Sequence, residues 1–285
     1  MRRGGRTRWR SRRTPARAVD AVLDCLARRV PTGRPVALVV AHPDDEIIAA
    51  GASLHLLTNL LLVHVTDGAP RNLDDAARAG FDTPAAYADA REAELRDALR
   101  VAGCGAARAG LGVPDQDASL HMPAIAHDLA RLFERHGTQV VITHAYEGGH
   151  PDHDAAALAV HAAAPGRVPG GIPGSVIEFP GYHAAPDGSL VTGLFLPGAS
   201  ATEVVLDTED QARKRLMLDC FRTQAHMLAS FRTGMESFRP ARPDFRAPPH
   251  PGTLNYEHWG WSMTGPRWRA LAAAALAELQ APCAA

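Results

Sequence analysis

Short apolar runs alternate with amphipathic stretches along most of this 285-residue chain. Apolar runs bounded by turn-forming residues predict buried β-strands, at residues 35–41, 60–66, 109–113, 139–143 and 175–179. Apolar positions at helical spacing predict helices, at residues 16–30, 46–57, 83–102, 123–136, 152–163, 208–228 and 267–279. Residues 203–206 predict one strand of an antiparallel pair.

Strands that alternate with helices predict an α/β fold, in which helices cover both faces of a mostly parallel sheet. The expected architecture is a Rossmann-like three-layer sandwich. Residues 18–285 contain no internal repeat and are expected to form a single domain. In such folds ligands bind beyond the carboxyl ends of the strands. Polar clusters that directly follow strands are therefore the first candidates for a functional site.

The composition of the chain argues against several classes of function. The hydrophobic content of 46% and charged content of 21% are ordinary for a globular protein, and a net charge near −1 argues against nucleic-acid binding. No apolar run approaches the ~20 residues of a membrane span. The cysteines are isolated and indicate no disulfide framework, which favours a cytoplasmic location; they are Cys25, Cys104, Cys220 and Cys283.

Residues 1–17 differ from the rest of the chain, because they contain eight Arg and no acidic residue. We interpret this stretch as a disordered, solvated basic tail. Contact with a membrane surface or a polyanion is the alternative interpretation.

Two clusters of histidines and carboxylates follow predicted strands. His42-Pro43-Asp44-Asp45-Glu46 comes after the first strand, and His150-Pro151-Asp152-His153 comes after the strand at 139–143. Charge placed beside a core is costly unless it is compensated, and a cation would compensate it. Imidazole and carboxylate ligands suit Zn²⁺, with Fe²⁺ and other divalent transition metals as alternatives. Together the clusters predict one metal site assembled from two strand ends, and hence metal-assisted hydrolysis.

Each cluster alone has a simpler interpretation. Three carboxylates at a helix N-terminus are favourable because of the helix dipole, and a single His is most often a surface residue. A proline is well suited to the first position of a helix. We therefore expect Pro43 and Pro151 to open helices, with Asp44 and Asp45 in a first turn and pointing about 100° apart. The recurrence of His-Pro-Asp after two buried strands favours the metal site.

These residues resemble the LmbE-like, or PIG-L, family of zinc-dependent N-deacetylases. The family pattern of Ala-His-Pro-Asp-Asp-Glu is intact at residues 41–46, and that of His-Pro-Asp-His is intact at residues 150–153. Weaker agreements lie at residues 66–68, 91–94, 114–115, 214 and 223–224, so the resemblance covers residues 34–228. One departure is Gly148, where some family members carry a tyrosine; Tyr146 lies nearby in the sequence.

The resemblance implies His42, Asp45 and His153 as zinc ligands. It implies Asp44 as the general base that takes a proton from the attacking water. It also implies His150 as a catalytic histidine, which stabilises the oxyanion or protonates the leaving group.

Three further residues receive roles from the same resemblance. Asp152 would orient His150 from behind. Arg91 would bind substrate; alone, it would be a surface arginine paired with a neighbouring Glu. Asp115 would contact a sugar hydroxyl.

The implied reaction removes the acetyl group from an N-acetylated amino sugar conjugate. An amidase that acts on a thiol conjugate or another non-acetyl amide is the nearest alternative. A metal phosphoesterase is less favoured because the clusters contain no Gly-rich phosphate cradle. A non-catalytic binding module is disfavoured because such a module needs no base such as Asp44.

The aromatic residues near the C-terminus have two interpretations. Tyr256, Trp259, Trp261 and Trp268 lie in the segment 231–268, to which the resemblance assigns no role. Packing over the core is the simpler expectation. A wall for stacking a sugar is the alternative.

Overall fold

The computed structural model describes residues 15–166, 175–198 and 200–281. Its strands are β1 (Val36–Val40), β2 (Leu60–Pro70), β3 (Ala107–Asp115), β4 (Val140–His144), β5 (Val176–Phe179), β6 (Tyr182–Ala184), β7 (Leu190–Thr192), β8 (Thr202–Val205) and β9 (Met235–Pro240). Its helices are α1 (Pro15–Ala27), α2 (Asp45–Ala50), α3 (Asp74–Arg78), α4 (Pro84–Val101), α5 (Met122–His136), α6 (Pro151–Ala163), α7 (Thr208–Leu218), α8 (Ala225–Leu228), α9 (Asn255–His258) and α10 (Gly265–Gln280).

Seven of the strands form one sheet, in the order β3-β2-β1-β4-β5-β9-β8. The first five are parallel, and β9 and β8 are antiparallel additions at one edge. Every residue of β1 is buried, as expected for a strand with both faces covered. The prediction of a mostly parallel sheet is confirmed.

The side chains of β1 divide between two hydrophobic cores, one on each face of the sheet. Val36, Leu38 and Val40 pack with residues of α1, α2 and α4, whereas Ala37 and Val39 pack with residues of α5, α6 and α10. This alternation follows from the two-residue period of a strand. It produces the three-layer arrangement that the sequence predicted.

The strand order places β1 at the point where the chain changes direction across the sheet. From β1 the chain continues to β2 and β3 on one side, and then returns to β4 and β5 on the other. A crevice forms at such a switch point, beyond the carboxyl ends of the two central strands. Both predicted clusters follow these strands, so the fold brings them together.

Several predicted boundaries were wrong. The helix expected at 46–57 ends at Ala50, where the backbone N–H of Ala52 and the hydroxyl of Ser53 donate to the buried carboxylate of Glu236. The helix expected at 208–228 ends at Leu218 and resumes only as the short α8. Strand β9 was not predicted, although it supplies the antiparallel partner expected for residues 203–206.

Both ends of the chain include residues outside the ranges that the structure describes. Residues 1–14 of the predicted basic tail are outside the described residues, and residues 15–17 already belong to α1. Cys283 is also outside them, whereas Cys25, Cys104 and Cys220 are free thiols. Across residues 15–166, 175–198 and 200–281, no helix has the length and apolar character needed to cross a membrane.

Candidate active site

The first cluster adopts a backbone that the sequence did not predict. Helix α2 begins at Asp45, and Asp44 precedes it with φ 127° and ψ −30°, so Pro43 does not open the helix. Positive φ is uncommon for a non-glycine residue and costs of order 1–3 kcal/mol. The conformation is held by the backbone N–H of His42, which donates to Asp45 Oδ2 at 2.8 Å, and by that of Asp44, which donates to Glu46 Oε2 at 3.1 Å.

The second cluster follows the prediction. Pro151 is the first residue of α6 and His150 caps the helix, with its Nδ1 accepting the backbone N–H of Asp152 at 3.1 Å. Two similar His-Pro-Asp sequences thus form different local structures. The helical turn places His153 on the side of α6 that faces the first cluster.

Three predicted ligands converge across the gap between the clusters. His42 Nδ1 lies 3.2 Å from Asp45 Oδ2 and 3.3 Å from His153 Nε2, and His153 Nε2 lies 3.3 Å from Asp45 Oδ1. All three side chains are buried, and their donor atoms lie within 4.8 Å of one another. Two imidazole nitrogens and a carboxylate that face one point form a donor set suited to Zn²⁺ or Fe²⁺.

Asp115 contacts one of the predicted ligands, while its expected contact with a sugar hydroxyl stays a prediction. Its Oδ1 lies 3.0 Å from His42 Nε2, the ring nitrogen that points away from the ligand cluster. A carboxylate behind a ligating histidine sets the tautomer and the orientation of the ring. Burial alone would raise the pKa of Asp115, but the neighbouring His42 lowers it below its ordinary value.

The carboxylate of Asp152 does not orient His150, contrary to the prediction. It accepts the backbone N–H groups of Gln116 and Ala118 at 2.6 and 3.1 Å, and it lies 3.5 Å from His42 Nε2. Only the backbone N–H of Asp152 reaches the His150 ring. The side chain therefore joins the segment that follows β3 to the first turn of α6.

His150 is a neutral histidine with its proton on the outer nitrogen. Burial, followed by the charge on His42, holds the pKa of His150 well below its ordinary value. Because Nδ1 accepts a hydrogen bond, the proton of the neutral ring is on Nε2. That nitrogen lies 3.7 Å from Asp115 Oδ1, and His150 lines the cavity. His150 can therefore donate a hydrogen bond to a bound group without being protonated.

Arg91 holds Asp44 and the backbone around it. Its guanidinium donates to the carbonyls of Gly68 and Pro43, both at 2.7 Å, and to Asp44 Oδ2 at 3.0 Å. The residue is only 3% exposed. Arg91 also lines the cavity beside the ligand cluster, and its contact with substrate stays a prediction. Burial raises the pKa of Asp44 to about 8, and the adjacent guanidinium limits that rise.

Sequence reasoning missed His144, the last residue of β4. Its Nε2 accepts the backbone N–H of Ala41 at 3.0 Å and lies 3.4 Å from Asp45 Oδ2. Its ring stacks on that of His153, with centroids 4.0 Å apart and planes 12° apart. Burial lowers the pKa of His144 to about 4. The available signal was a histidine at the carboxyl end of a predicted central strand.

Gly148 has no room for the tyrosine found in some family members. It has φ 70°, and an added Cβ would lie 2.6 Å from a methyl carbon of Leu254. Tyr146 does not substitute for it, because its hydroxyl donates to the carbonyl of Ala247 and its ring stacks on Trp268.

The site opens into a cavity of about 1000 Å³. One side of the cavity is formed by helices α3 and α4 and by residues 222–228, and the other side is formed by aromatic residues that follow β5. The aromatic residues of the C-terminal segment divide between the core and the cavity, and sugar stacking stays a prediction. Tyr256 and Trp268 are buried in the core, whereas Trp259 and Trp261 line the cavity.

Comparisons with known proteins agree with this geometry. Residues 37–164 match the family model described as PIG-L: GlcNAc-PI de-N-acetylase. This match confirms the resemblance drawn from the two motifs. No curated protein matches the sequence.

Solved structures share the fold. A triple mutant of the deacetylase from the teicoplanin biosynthetic pathway is 19% identical, covers 73% of this chain and 98% of its own, and has a TM-score of 0.55. The A40926 pseudoaglycone deacetylase Dbv21 is 19% identical, covers 75% and 100%, and has a TM-score of 0.54. The zinc-inhibited form of teicoplanin deacetylase Orf2 is 18% identical, covers 71% and 96%, and has a TM-score of 0.50.

Proposed function

From the match of residues 37–164 to the PIG-L family model, we propose that the chain is a metal-dependent deacetylase acting on an N-acetylated amino sugar conjugate. The family match and the shared fold support a deacetylase enzyme. The observation that carries the proposal is the convergence of His42, Asp45 and His153 beside a further carboxylate, Asp44, at the floor of one cavity.

We assign the metal to His42, Asp45 and His153. The metal would be Zn²⁺, with Fe²⁺ as the alternative, because the donor set suits either ion. A divalent ion at this position supplies a Lewis acid that polarises the scissile carbonyl and makes water more acidic. Asp115 supports the site by holding the outer nitrogen of His42, and His144 supports it by packing against His153.

Asp44 is assigned as the general base. Its carboxylate borders the cavity next to the ligands and is held by the fixed guanidinium of Arg91. In this role Asp44 takes a proton from water as the water attacks the acetamide carbon. The same proton then passes to the nitrogen of the departing amine, and acetate remains as the second product.

His150 is assigned as the donor to the developing oxyanion. His150 lines the cavity, and its Nδ1 is fixed by the backbone N–H of Asp152 at the N-terminus of α6, which leaves Nε2–H as the donor. Donors that are already in place when charge develops are often worth about 3–4 kcal/mol each. A neutral ring suits this role because it donates one proton-bearing nitrogen without adding a second charge to the ligand cluster.

Acetate release is the direct test. The metal-depleted protein and the protein reloaded with Zn²⁺ or Fe²⁺ are assayed with a panel of N-acetylglucosamine conjugates. We expect metal-dependent release that Asp44→Asn lowers by at least about 100-fold, the contribution typical of acid–base catalysis. Asp44→Asn should still bind one metal ion per chain, whereas His153→Ala should not.

The other function classes give different results. Release of phosphate from phosphoesters without acetate release would support the phosphoesterase. Cleavage of thiol-conjugate amides alone would support the amidase. Tight sugar binding without any turnover would support the binding module. Near-normal turnover by Asp44→Asn would remove Asp44 from the role of base.

A further inference from the structure

We infer that Trp259 and Trp261, together with the largely buried Tyr182 that packs against Trp259, form a wall that binds the pyranose ring of the substrate. We call this surface the aromatic wall. The inference rests on the proposed function, since it names the part of the molecule that recognises the sugar next to the reacting amide. All three residues lie outside the segment 37–164 that matches the family model.

The aromatic wall is continuous. The Trp259 and Trp261 rings have centroids 5.0 Å apart, and the Tyr182 and Trp259 rings have centroids 5.8 Å apart. All three side chains line the 1000 Å³ cavity. Trp259 is 36% exposed, although a large aromatic side chain gains most when it is buried. An aromatic surface left open toward a cavity indicates a ligand that covers it.

The position of the aromatic wall identifies what covers it. Trp261 meets the ring of His150 edge to face, with centroids 4.9 Å apart, and Tyr182 meets His153 with centroids 5.1 Å apart. In an N-acetylated amino sugar, the amide carbon is two covalent bonds from a ring carbon. An acetamide that receives the hydrogen bond of His150 therefore places the pyranose ring next to Trp261.

The chemistry of the two surfaces matches. One face of a pyranose presents C–H groups, which carry small positive partial charges and little affinity for water. The face of an indole is electron-rich and apolar, so the two surfaces attract each other when both lose water. The hydroxyl groups at the sugar's edge would then point toward the polar side of the cavity, which includes Gln116 and Glu94.

The test separates sugar binding from catalysis. Trp261→Ala, Trp259→Ala and Trp261→Phe are compared with the wild type using methyl N-acetylglucosaminide and N-ethylacetamide, which has the amide but no pyranose. Leu216→Ala on α7 is the control, because Leu216 is an exposed apolar residue away from the cavity. A parallel titration follows the tryptophan fluorescence of Asp44→Asn on sugar binding, with and without Trp261→Ala.

We expect Trp261→Ala to lower kcat/KM for the sugar by about tenfold, mainly through KM, with less effect on N-ethylacetamide. Trp261→Phe should restore most of the loss. The sugar affinity measured by fluorescence should fall by a similar factor. Equal losses on both substrates would overturn the inference, since they would mean that Trp261 only supports His150. Unchanged sugar affinity would also overturn it.

The result remains distinguishable from a failure of the proposed function. If the wild type released no acetate, the deacetylase assignment would fail. The fluorescence titration would still decide whether the aromatic wall binds the pyranose, because it requires no turnover.

Discussion

Replacing Arg91 by Met tests whether this residue belongs to the internal structure of the site. The methionine side chain keeps much of the apolar length but has no donors. It leaves the Asp44 carboxylate and the carbonyls of Pro43 and Gly68 without the guanidinium that now joins them. All of this occurs at a residue that is 3% exposed, so water cannot readily replace the lost donors.

The expected loss of stability follows from these contacts. Removing one partner of a buried ion pair costs about 3–5 kcal/mol, because the other charge stays buried without compensation. The two carbonyls add to this loss, since each unsatisfied buried group costs about 1–3 kcal/mol unless the site relaxes. We therefore expect Arg91→Met to lower the free energy of unfolding by at least about 3 kcal/mol.

Urea unfolding at constant pH measures the loss, and the m-value shows whether the unfolded state changes. Arg96→Met is the matched control on the same helix, because Arg96 is exposed and has only a 3.9 Å contact with Glu92. That control should change stability by no more than about 0.5 kcal/mol. Asp44→Asn combined with Arg91→Met should show a coupling energy, because the two side chains touch.

Gly68→Ala provides an independent perturbation of the same contact. Gly68 has φ 68°, and an added Cβ would lie 2.7 Å from Arg91 Nη1. The variant should lose stability both from the backbone and from displacement of the guanidinium. If Arg91→Met behaved like Arg96→Met, the reasoning would be refuted, and Arg91 would be free to contact substrate as the family resemblance implied.

Three further predictions concern other buried groups. His144→Leu should weaken metal binding by about 10–100-fold in a chelator competition, because His153 loses its stacking partner. Burial raises the pKa of Glu147 to about 8 in the folded protein, whereas its ordinary value is 4.5. Between pH 4.5 and 8, Glu147 therefore keeps its proton in the folded protein and has lost it in the unfolded chain. Stability should therefore fall as the pH rises from 4.5 to 8, and Glu147→Gln should reduce that slope by up to about 1.4 kcal/mol per pH unit in urea titrations. Lys214→Met should lower the free energy of unfolding by about 3–5 kcal/mol in urea titrations, because it removes the cation that pairs with the buried carboxylate of Glu236.

The sequence predicted the local structure of the second cluster correctly and that of the first cluster wrongly. For the second cluster, Pro151 after a strand predicted the start of α6, because proline suits the first position of a helix and the helix is built from local hydrogen bonds. For the first cluster, the same reasoning placed Pro43 in a helix and was wrong. There Asp44 has a positive φ, and besides the local hydrogen bonds to Asp45 and Glu46 it is contacted by Arg91, which is 47 residues away in the sequence.

The residues that contact the ligand cluster from outside it were also not predicted from the sequence. The contact of Asp115 with His42 was not predicted, and His144 was not considered, although it accepts the N–H of Ala41 from 103 positions away. Trp268 lies on the predicted C-terminal helix and is buried with Ala272 and Ala275 at helical spacing, whereas Trp259 borders the cavity. The position of Trp259 depends on which distant elements pack around it.

The sequence by itself determined the alternation of strands and helices, the parallel sheet, and the position of both clusters at the carboxyl ends of its two central strands. These features follow from local periodicity and from the need to bury apolar side chains. Only the tertiary structure decided the backbone of Asp44, the partners of Arg91, Asp115 and His144, and the side of the cavity formed by the C-terminal aromatic residues. Those choices depend on contacts between residues far apart in the chain, where packing and buried hydrogen bonds outweigh local preference.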